Sequence, residues 1–409
     1  MLPVNLKDLT ADHIQDLIDS EVAESVMLEY KQQLPSKQSD EKREFLYDVA
    51  AMANAAGGDI VFGIAERPGE SNAKTGIADK VLGERWPNIQ AEVIRLSSYI
   101  RDGIAPRLSG FDLQPISCPD GDALVVRIPS SWNKPHIVTI GGVDRFYRRT
   151  GATNNPMTVD EIRRAFSEQG ELRENIARWR SHRAELIESG RGPVVMMSGP
   201  IAIFHVIPAE AFALRAFSET WRVPDAEKRN VYVPTGNSYQ RYNADGFLCH
   251  SSLNTVETPP AVWGYSQLFR SGIVEYGFCP SFRHSPYGTT IQLIRGQALE
   301  CEIVHCFADA YSRLKREGRI GAAYVGFSLI GIQGKRMFIN DLFGTGTTHE
   351  IVSDTFSSPE IYVDLSEPEE DEPFARTLRP LVDTLWQVAG LEETPFRLDG
   401  TWKPFADYR

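Results

Sequence analysis

The sequence predicts two successive α+β domains, and three observations carry the prediction. Its 409 residues exceed what one hydrophobic core ordinarily organises. Hydrophobic residues make up 42% and charged residues 24%, which leaves apolar surface for more than one core. Apolar patterns of period 2 and period 3.6 follow one another along both halves, so short strands and amphipathic helices share each domain.

Residues 1–170 read as the first domain. Thr10 caps a helix whose apolar stripe is Ile14, Leu17 and Ile18. Residues 25–31 alternate as a strand, with Met27, Glu29 and Lys31 on one face and Leu28 and Tyr30 on the other. A helix follows with Asp40 as its expected N-cap and Phe45, Val49, Met52 and Ala53 at helical spacing. Gly57 and Gly58 stop it, and 59–64 reads as a buried strand. The Gly, Pro, Ser and Asn of 66–78 predict a loop. Ile89, Val93, Leu96 and Ile100 stripe the next helix, which Gly103 and Pro106 end. Short strands are expected at 111–116, 123–128, 136–140 and 145–148. Thr158 and Glu161 form a capping box that opens a helix through Phe166.

Residues 171–192 read as a connecting helix carrying Leu172, Ile176, Trp179, Arg183, Leu186 and Ile187, broken by Gly190, Gly192 and Pro193. Residues 193–409 read as the second α+β domain. Its strands are expected near 202–207, 231–234, 322–330 and 361–365, with a long helix near 297–317. The acidic run 367–372 reads as a solvated loop.

Charge narrows the function. Lys and Arg total 43 against 55 Asp and Glu, a net of -12. Residues 1–170 alone hold 25 acidic and 19 basic side chains, a net of -6. This excludes a protein that coats nucleic acid or anionic membrane by bulk attraction, and any polyanion partner requires a local basic patch. The run Lys134, His136, Arg145, Phe146, Tyr147, Arg148 and Arg149 is that patch, with cations for phosphates and rings for unpaired bases. An edge strand with protective charges reads equally well from the pattern. No apolar run has the roughly 18 residues of a membrane helix. The first 20 residues carry Lys7, Asp8, Asp12, Asp16 and Asp19 rather than a signal core. A cytoplasmic protein with reduced thiols and no membrane partner is expected, since its five cysteines have no CxxC spacing.

Several ordered motifs then converge. Glu24-Ser-Val-Met-Leu-Glu-Tyr-Lys31 precedes Ala51-Met-Ala-Asn-Ala-Ala-Gly-Gly58 and the apolar strand that ends near Glu66. Lys134-Pro-His136, Arg145-Phe-Tyr-Arg-Arg-Thr-Gly151 and Met157 to Glu161 come later. Over residues 20–170 this resembles the Schlafen AlbA-like domain. The resemblance implies an α/β domain with a mixed sheet, and nucleic acid, RNA or DNA, as partner. Bacterial members of that family are described as DNA-binding, whereas animal relatives include endoribonucleases that cut transfer and ribosomal RNA with three acidic residues. By resemblance those acids fall on Glu24, Glu29 and Glu66, the last replacing a frequent Asp. They would act as ligands of Mg²⁺ or Mn²⁺, with Lys31 beside them as a further catalytic residue. Animal cores hold two related lobes; one copy here leads to the expectation of a homodimer.

Chemistry agrees with the resemblance without requiring it. Carboxylate-held divalent metal neutralises a phosphodiester and activates water. Glu29 and Lys31 share a strand face, but a solvated ion pair has the same pattern. The two readings are a metal-dependent nuclease acting on structured RNA such as transfer RNA, and a non-catalytic DNA-binding regulator or scaffold. Asn54 is expected to cap or brace its turn. Other signals fail: 344–348 lacks the Lys of a phosphate-binding loop, so no ATP site is expected, and no GxSxG motif occurs. Cys301, His305 and Cys306, even with His284, match no zinc spacing, so buried thiols are expected. Arg270 and Glu275 read as a strand ion pair.

Overall fold

A computed structural model describes residues 2, 6–69, 74–83, 85–140, 145–212, 222–236, 239–284, 291–317, 319, 321–341, 344–365, 373–398 and 401–403. The chain divides into two compact units, Met1–Glu171 with Ile320–Ala322, and Leu172–Arg319 with Ala323–Arg409.

In chain order the first unit contains α1 (Ala11–Asp19), β1 (Leu28–Lys31), α2 (Ser39–Ala53), β2 (Gly57–Phe62), β3 (Ile64–Pro68) and β4 (Lys74–Val81). Then come α3 (Ile89–Gly103), β5 (Ile104–Ala105), β6 (Asp112–Cys118), β7 (Gly121–Pro129), β8 (Ile137–Val138), β9 (Arg145–Thr150), β10 (Thr153–Pro156) and the start of α4 (Val159–Glu188). Its central sheet runs β1-β2-β7-β6, with β1 parallel to β2 and the other pairs antiparallel. This is the expected mixed sheet. Strand alternation sorts its side chains onto two cores. Ile60, Phe62, Leu124 and Val126 pack with Phe45, Val49 and Met52 of α2 and Leu96 and Ile100 of α3. Leu28, Tyr30, Val61 and Val125 pack on the other side with Ile14 and Leu17 of α1. The predicted faces of residues 28–31 therefore hold.

A second antiparallel sheet, β10-β9-β8-β5, carries the basic segment. Gly57 makes the turn from α2 into β2 at φ +74°, where a Cβ would fall 2.5 Å from Ser130 N. The helix starts at Ser39, ahead of the expected Asp40 cap, and Asp40 and Glu41 fill its first turn.

Two expectations are corrected here. The described parts of 66–78 belong to the hairpin β3–β4 rather than to a loop, because Ile64, Ala78 and Val81 contribute to the α1-side core. The helix opened by the Thr158–Glu161 capping box does not stop near Phe166. It runs unbroken for 30 residues through the segment expected to be a separate connecting helix.

The second unit holds β11 (Ile201–Pro208), the single turn α5 (Asp225–Lys228), β12 (Tyr239–Tyr242), β13 (Gly246–His250), β14 (Gly264–Phe269), β15 (Val274–Phe278), β16 (Ser281–His284), β17 (Ile291–Arg295) and α6 (Gly296–Arg316). It continues with β18 (Ala322–Ile330), β19 (Arg336–Asp341), β20 (Gly344–Thr347), β21 (Thr355–Ser357), β22 (Ile361–Asp364), α7 (Pro373–Val388), β23 (Arg397–Leu398) and β24 (Thr401–Trp402). The main sheet runs β12-β13-β14-β15-β11-β18-β21, with β22 also on β18. Phe204, Tyr276 and Phe327 from it pack with Phe307 of α6 and Trp386 of α7. The expected strand at 231–234 does not form: Val231 and Val233 are buried in this core from a segment that is not a strand. The acidic run 367–372 and the His284 side chain lie outside the described residues.

Arg270 and Glu275 do not pair. Glu275 is fully buried and is gripped by Arg183 of α4, with Nε donating to Oε2 at 2.8 Å and NH2 to Oε1 at 2.7 Å. Tyr265 adds a hydroxyl at 2.8 Å and His205 Nε2 lies 2.9 Å away. Burial works to raise the Glu275 carboxyl, but Arg183 and His205 overcome it and hold it down at about 2. Arg270 instead donates to the carbonyl of Ala244.

Candidate nucleic-acid interface

The carboxylates nominated by resemblance gather where β1 meets the β3–β4 hairpin. Glu24 donates its backbone N–H to Gly76 O at 2.7 Å, and its Oε1 accepts the Tyr30 N–H at 2.9 Å. Glu66 Oε2 accepts the Gly76 N–H at 3.1 Å. Gly76 stands at φ +69°, and a Cβ there would come 3.3 Å from Glu24 Oε2. Burial pushes the Glu24 carboxyl up to about 6, opposed by the Tyr30 N–H and reinforced by Glu29 and Glu66.

Glu29 turns toward a different set of groups. Lys31 Nζ lies 3.1 Å from Glu29 Oε1, 3.1 Å from Asp48 Oδ2 and 3.3 Å from Glu44 Oε1, and Arg149 NH2 pairs with Glu29 Oε2. Burial disfavours the Lys31 ammonium, but Asp48 and Glu29 outweigh it and hold its pKa above the ordinary range. Asp48, buried on α2, has its carboxyl pushed up to about 6 by that burial despite Lys31. Nothing in the sequence singles out Asp48, which lies within α2 with no motif around it. Its Oδ1 accepts from Asn154 of β10.

These residues do not fit the expected Mg²⁺ or Mn²⁺ site. Ammonium and guanidinium groups take both oxygens of Glu29, and Glu66 is bound to a backbone N–H. Among the described residues no three His, Cys, Asp or Glu side chains are arranged to hold a metal ion.

The basic residues of the expected patch separate as well. His136 is fully buried: Nδ1 lies 2.7 Å from Pro106 O and Nε2 2.6 Å from Ser131 Oγ. Burial lowers its pKa to about 4, although the Pro106 contact opposes this, so the ring is neutral and closed to phosphate. Arg149 is buried too, donating to Ser25 O at 2.9 Å and Leu28 O at 3.1 Å, which ties β9 to β1. Both are corrections to the expected surface patch, and their cause is burial against other elements. Lys134 pairs with Glu168 of α4 at 2.8 Å. Arg148 lies on the opposite face of β9 from Arg145 and Tyr147, near enough to Glu161 to lower its pKa after the Thr158 hydrogen bonds.

What remains together is Arg145 and Tyr147, on the face of β9 that meets α2, joined by two residues of that helix. The rings of Tyr47 and Tyr147 lie 4.2 Å apart between centroids at 38°. Arg43 and Arg145 both act electrostatically on the Tyr47 phenol. Arg145 is exposed and makes no ion pair among the described residues, whereas Arg43 also meets Asp40 at 2.8 Å. Asn54 secures the arrangement from below. Its Nδ2 donates to the carbonyls of Tyr147 and His136, each at 2.8 Å, and its Oδ1 accepts the His136 N–H at 2.7 Å. The expected brace is therefore a three-bond clamp between the end of α2 and the strands β8 and β9.

No helix among the described residues is long and apolar enough to cross a membrane. The comparison with curated proteins returns no match. Among solved structures, the chain is similar to the DIP2311 protein from Corynebacterium diphtheriae, at 15% identity and a TM-score of 0.25, over 35% of this chain and 25% of that one. It is also similar to the N-terminal domain of a DNA helicase RecG-related protein from Nitrosomonas europaea, at 20% identity and a TM-score of 0.27, over 37% of this chain and 95% of that domain. The chain thus spans a quarter of the length of the Corynebacterium protein. Residues 24–158 match the family model described as Schlafen, AlbA_2, so the first unit of this chain carries a Schlafen AlbA-like domain.

Proposed function

We propose that the first unit binds nucleic acid where Arg145 and Tyr147 of β9 meet Arg43 and Tyr47 of α2, as a binding module rather than a metal-dependent hydrolase. The observation that carries this reading is Arg145, an exposed guanidinium on the same strand face as Tyr147. In a unit of net negative charge, attraction to phosphate depends on such a local cation. The matched family supports nucleic acid as the partner class.

The nuclease alternative draws support from the mutual influence of Glu24, Glu29 and Glu66. Against it stands the pairing of Glu29 with Lys31 and Arg149, two cations that a metal ion would have to compete with. A homodimer would double the binding face, and a monomer by light scattering of the full chain removes that part of the proposal.

The test is fluorescence anisotropy of the full chain with labelled single-stranded DNA, duplex DNA and transfer RNA over rising salt. Binding that weakens steeply with salt is expected. Parallel incubations with Mg²⁺, Mn²⁺ or EDTA decide between binding and cleavage. Metal-dependent cleavage that disappears in Glu29→Gln would overturn the binding-module reading.

A further inference from the structure

Resting on the reading just proposed, we infer that the Tyr47–Tyr147 pair is a stacking platform for an unpaired base, which makes single-stranded nucleic acid the substrate class of this site. Arg43 and Arg145 would hold the flanking phosphates.

Three features lead there. Each tyrosine is only half-buried, although the two rings touch and come from different elements, α2 and β9. An aromatic pair serving the core alone would be covered; Tyr47 packs against the α2-side core, yet both residues stay partly exposed, and Arg43 and Arg145 act electrostatically on the Tyr47 phenol. Every base offers a π-face of matching size, but only an unpaired base can turn it outward.

The pair is also held ready. Tyr47 is followed by Asp48, anchored inside the unit by Lys31 and Asn154. Tyr147 has its own carbonyl clamped by Asn54 at 2.8 Å. The backbone beneath both rings is thus fastened by buried polar contacts, and a ligand meets rings already in place with little ordering left to do. Asp48 and Asn54 are positioning residues here; neither reaches the solvent side.

The centroid separation of 4.2 Å leaves no slot for a base between the rings, since an inserted base needs roughly twice the aromatic stacking distance of about 3.5 Å. The base therefore stacks on the outside of the pair, one base per platform. Sequence preference is expected to be weak, because stacking on the platform reads no base edges.

The experiment is anisotropy of the full chain with a labelled oligothymidine of about 12 nucleotides, alone and annealed to its complement. The single strand is expected to bind at least about tenfold more tightly than the duplex, and Tyr147→Leu to weaken single-strand binding about tenfold. Tyr147→Phe, which keeps the ring, should bind like the parent. The salt dependence should be unchanged in Tyr147→Leu, since no phosphate contact is lost. Tyr47→Leu, with folding checked by circular dichroism, gives an independent second reading with the same expected loss. Equal affinity for single strand and duplex, or unchanged binding in both Leu variants, overturns the platform while leaving nucleic-acid binding intact. Failure of the parent chain to bind any of the probes overturns both readings together.

Discussion

Lys31 and Asp48 form an ion pair inside the first unit, Nζ to Oδ2 at 3.1 Å, with Asp48 almost wholly withdrawn from water. The same ammonium neutralises Glu29, so one cation serves two carboxylates that would otherwise repel each other. Removing one partner of a buried pair exposes the full desolvation cost of the other. Lys31→Met should accordingly lower stability by about 3 kcal/mol. The double variant with Asp48→Asn should be less destabilised than the sum of the two single changes. Urea unfolding of the four proteins measures this, and an unchanged midpoint in Lys31→Met would show the pair to be energetically idle.

The buried pair in the second unit is expected to be at least as sensitive. Arg183 meets both oxygens of Glu275, and neither side chain has appreciable access to water. Arg183→Ala should cost about 3 to 5 kcal/mol, and Glu275→Gln less, because a neutral amide carries a smaller desolvation penalty. The comparison can be made by denaturant unfolding; a larger loss in Glu275→Gln than in Arg183→Ala would contradict the assignment.

Stability of the second unit should also fall as pH rises toward neutrality, and Glu300 is the reason. This fully buried carboxylate of α6 accepts from Trp386, from Thr394 Oγ1 at 2.6 Å and from Trp402 Nε1 at 2.6 Å, and no cation is among those donors. Burial pushes its carboxyl from 4.5 up to about 7, opposed by those donors and aided by nearby Asp383. An acid with a raised pKa in the folded state keeps a proton that the unfolded chain has released. Its contribution is complete below pH 4.5 and is lost as pH rises through about 7. His136 in the first unit works in the opposite sense: lowered from 6.5 to about 4, its contribution is present above 6.5 and lost as pH falls through about 4. Thermal melts followed by tryptophan fluorescence at about pH 5 and about pH 8 test the Glu300 effect. Glu300→Gln should flatten the difference, and an equal slope in the variant would exclude Glu300 as its source.

For nucleic-acid binding, the two faces of β9 make opposite predictions. Arg145→Ala should reduce the salt slope of single-strand binding by about 0.7, the share of one phosphate contact. Arg148→Ala, on the face toward Glu161, should leave slope and affinity close to the parent's. Reversed results for the two variants would move the interface to the other side of the strand.

Much of this domain was legible as pattern. The alternation of residues 28–31 correctly put Leu28 and Tyr30 in the core and Glu29 and Lys31 on the opposite face. Thr158 and Glu161 marked a helix start that the hydrogen bonds reproduce. Such features depend on neighbours a few residues away, where backbone geometry alone dictates which side chains share a face. The 66–78 hairpin was hidden because its turn-forming composition outweighed the few apolar residues that anchor it.

By itself, then, the sequence determined the class of the fold, the order of most elements, the two-sided central strand and the family likeness of its first unit. Which charges are used up and which stay available was decided only in three dimensions. Arg145 and Arg149 look alike in the chain, yet Arg149 reaches back 124 residues to the carbonyl of Ser25 and is buried, while Arg145 stays in solvent. Tyr47 had no place in any motif until packing of α2 on β9 brought it against Tyr147. Local periodicity assigns a side chain to a face; its partner across that face depends on how distant segments pack, and for charged groups the partner decides the chemistry.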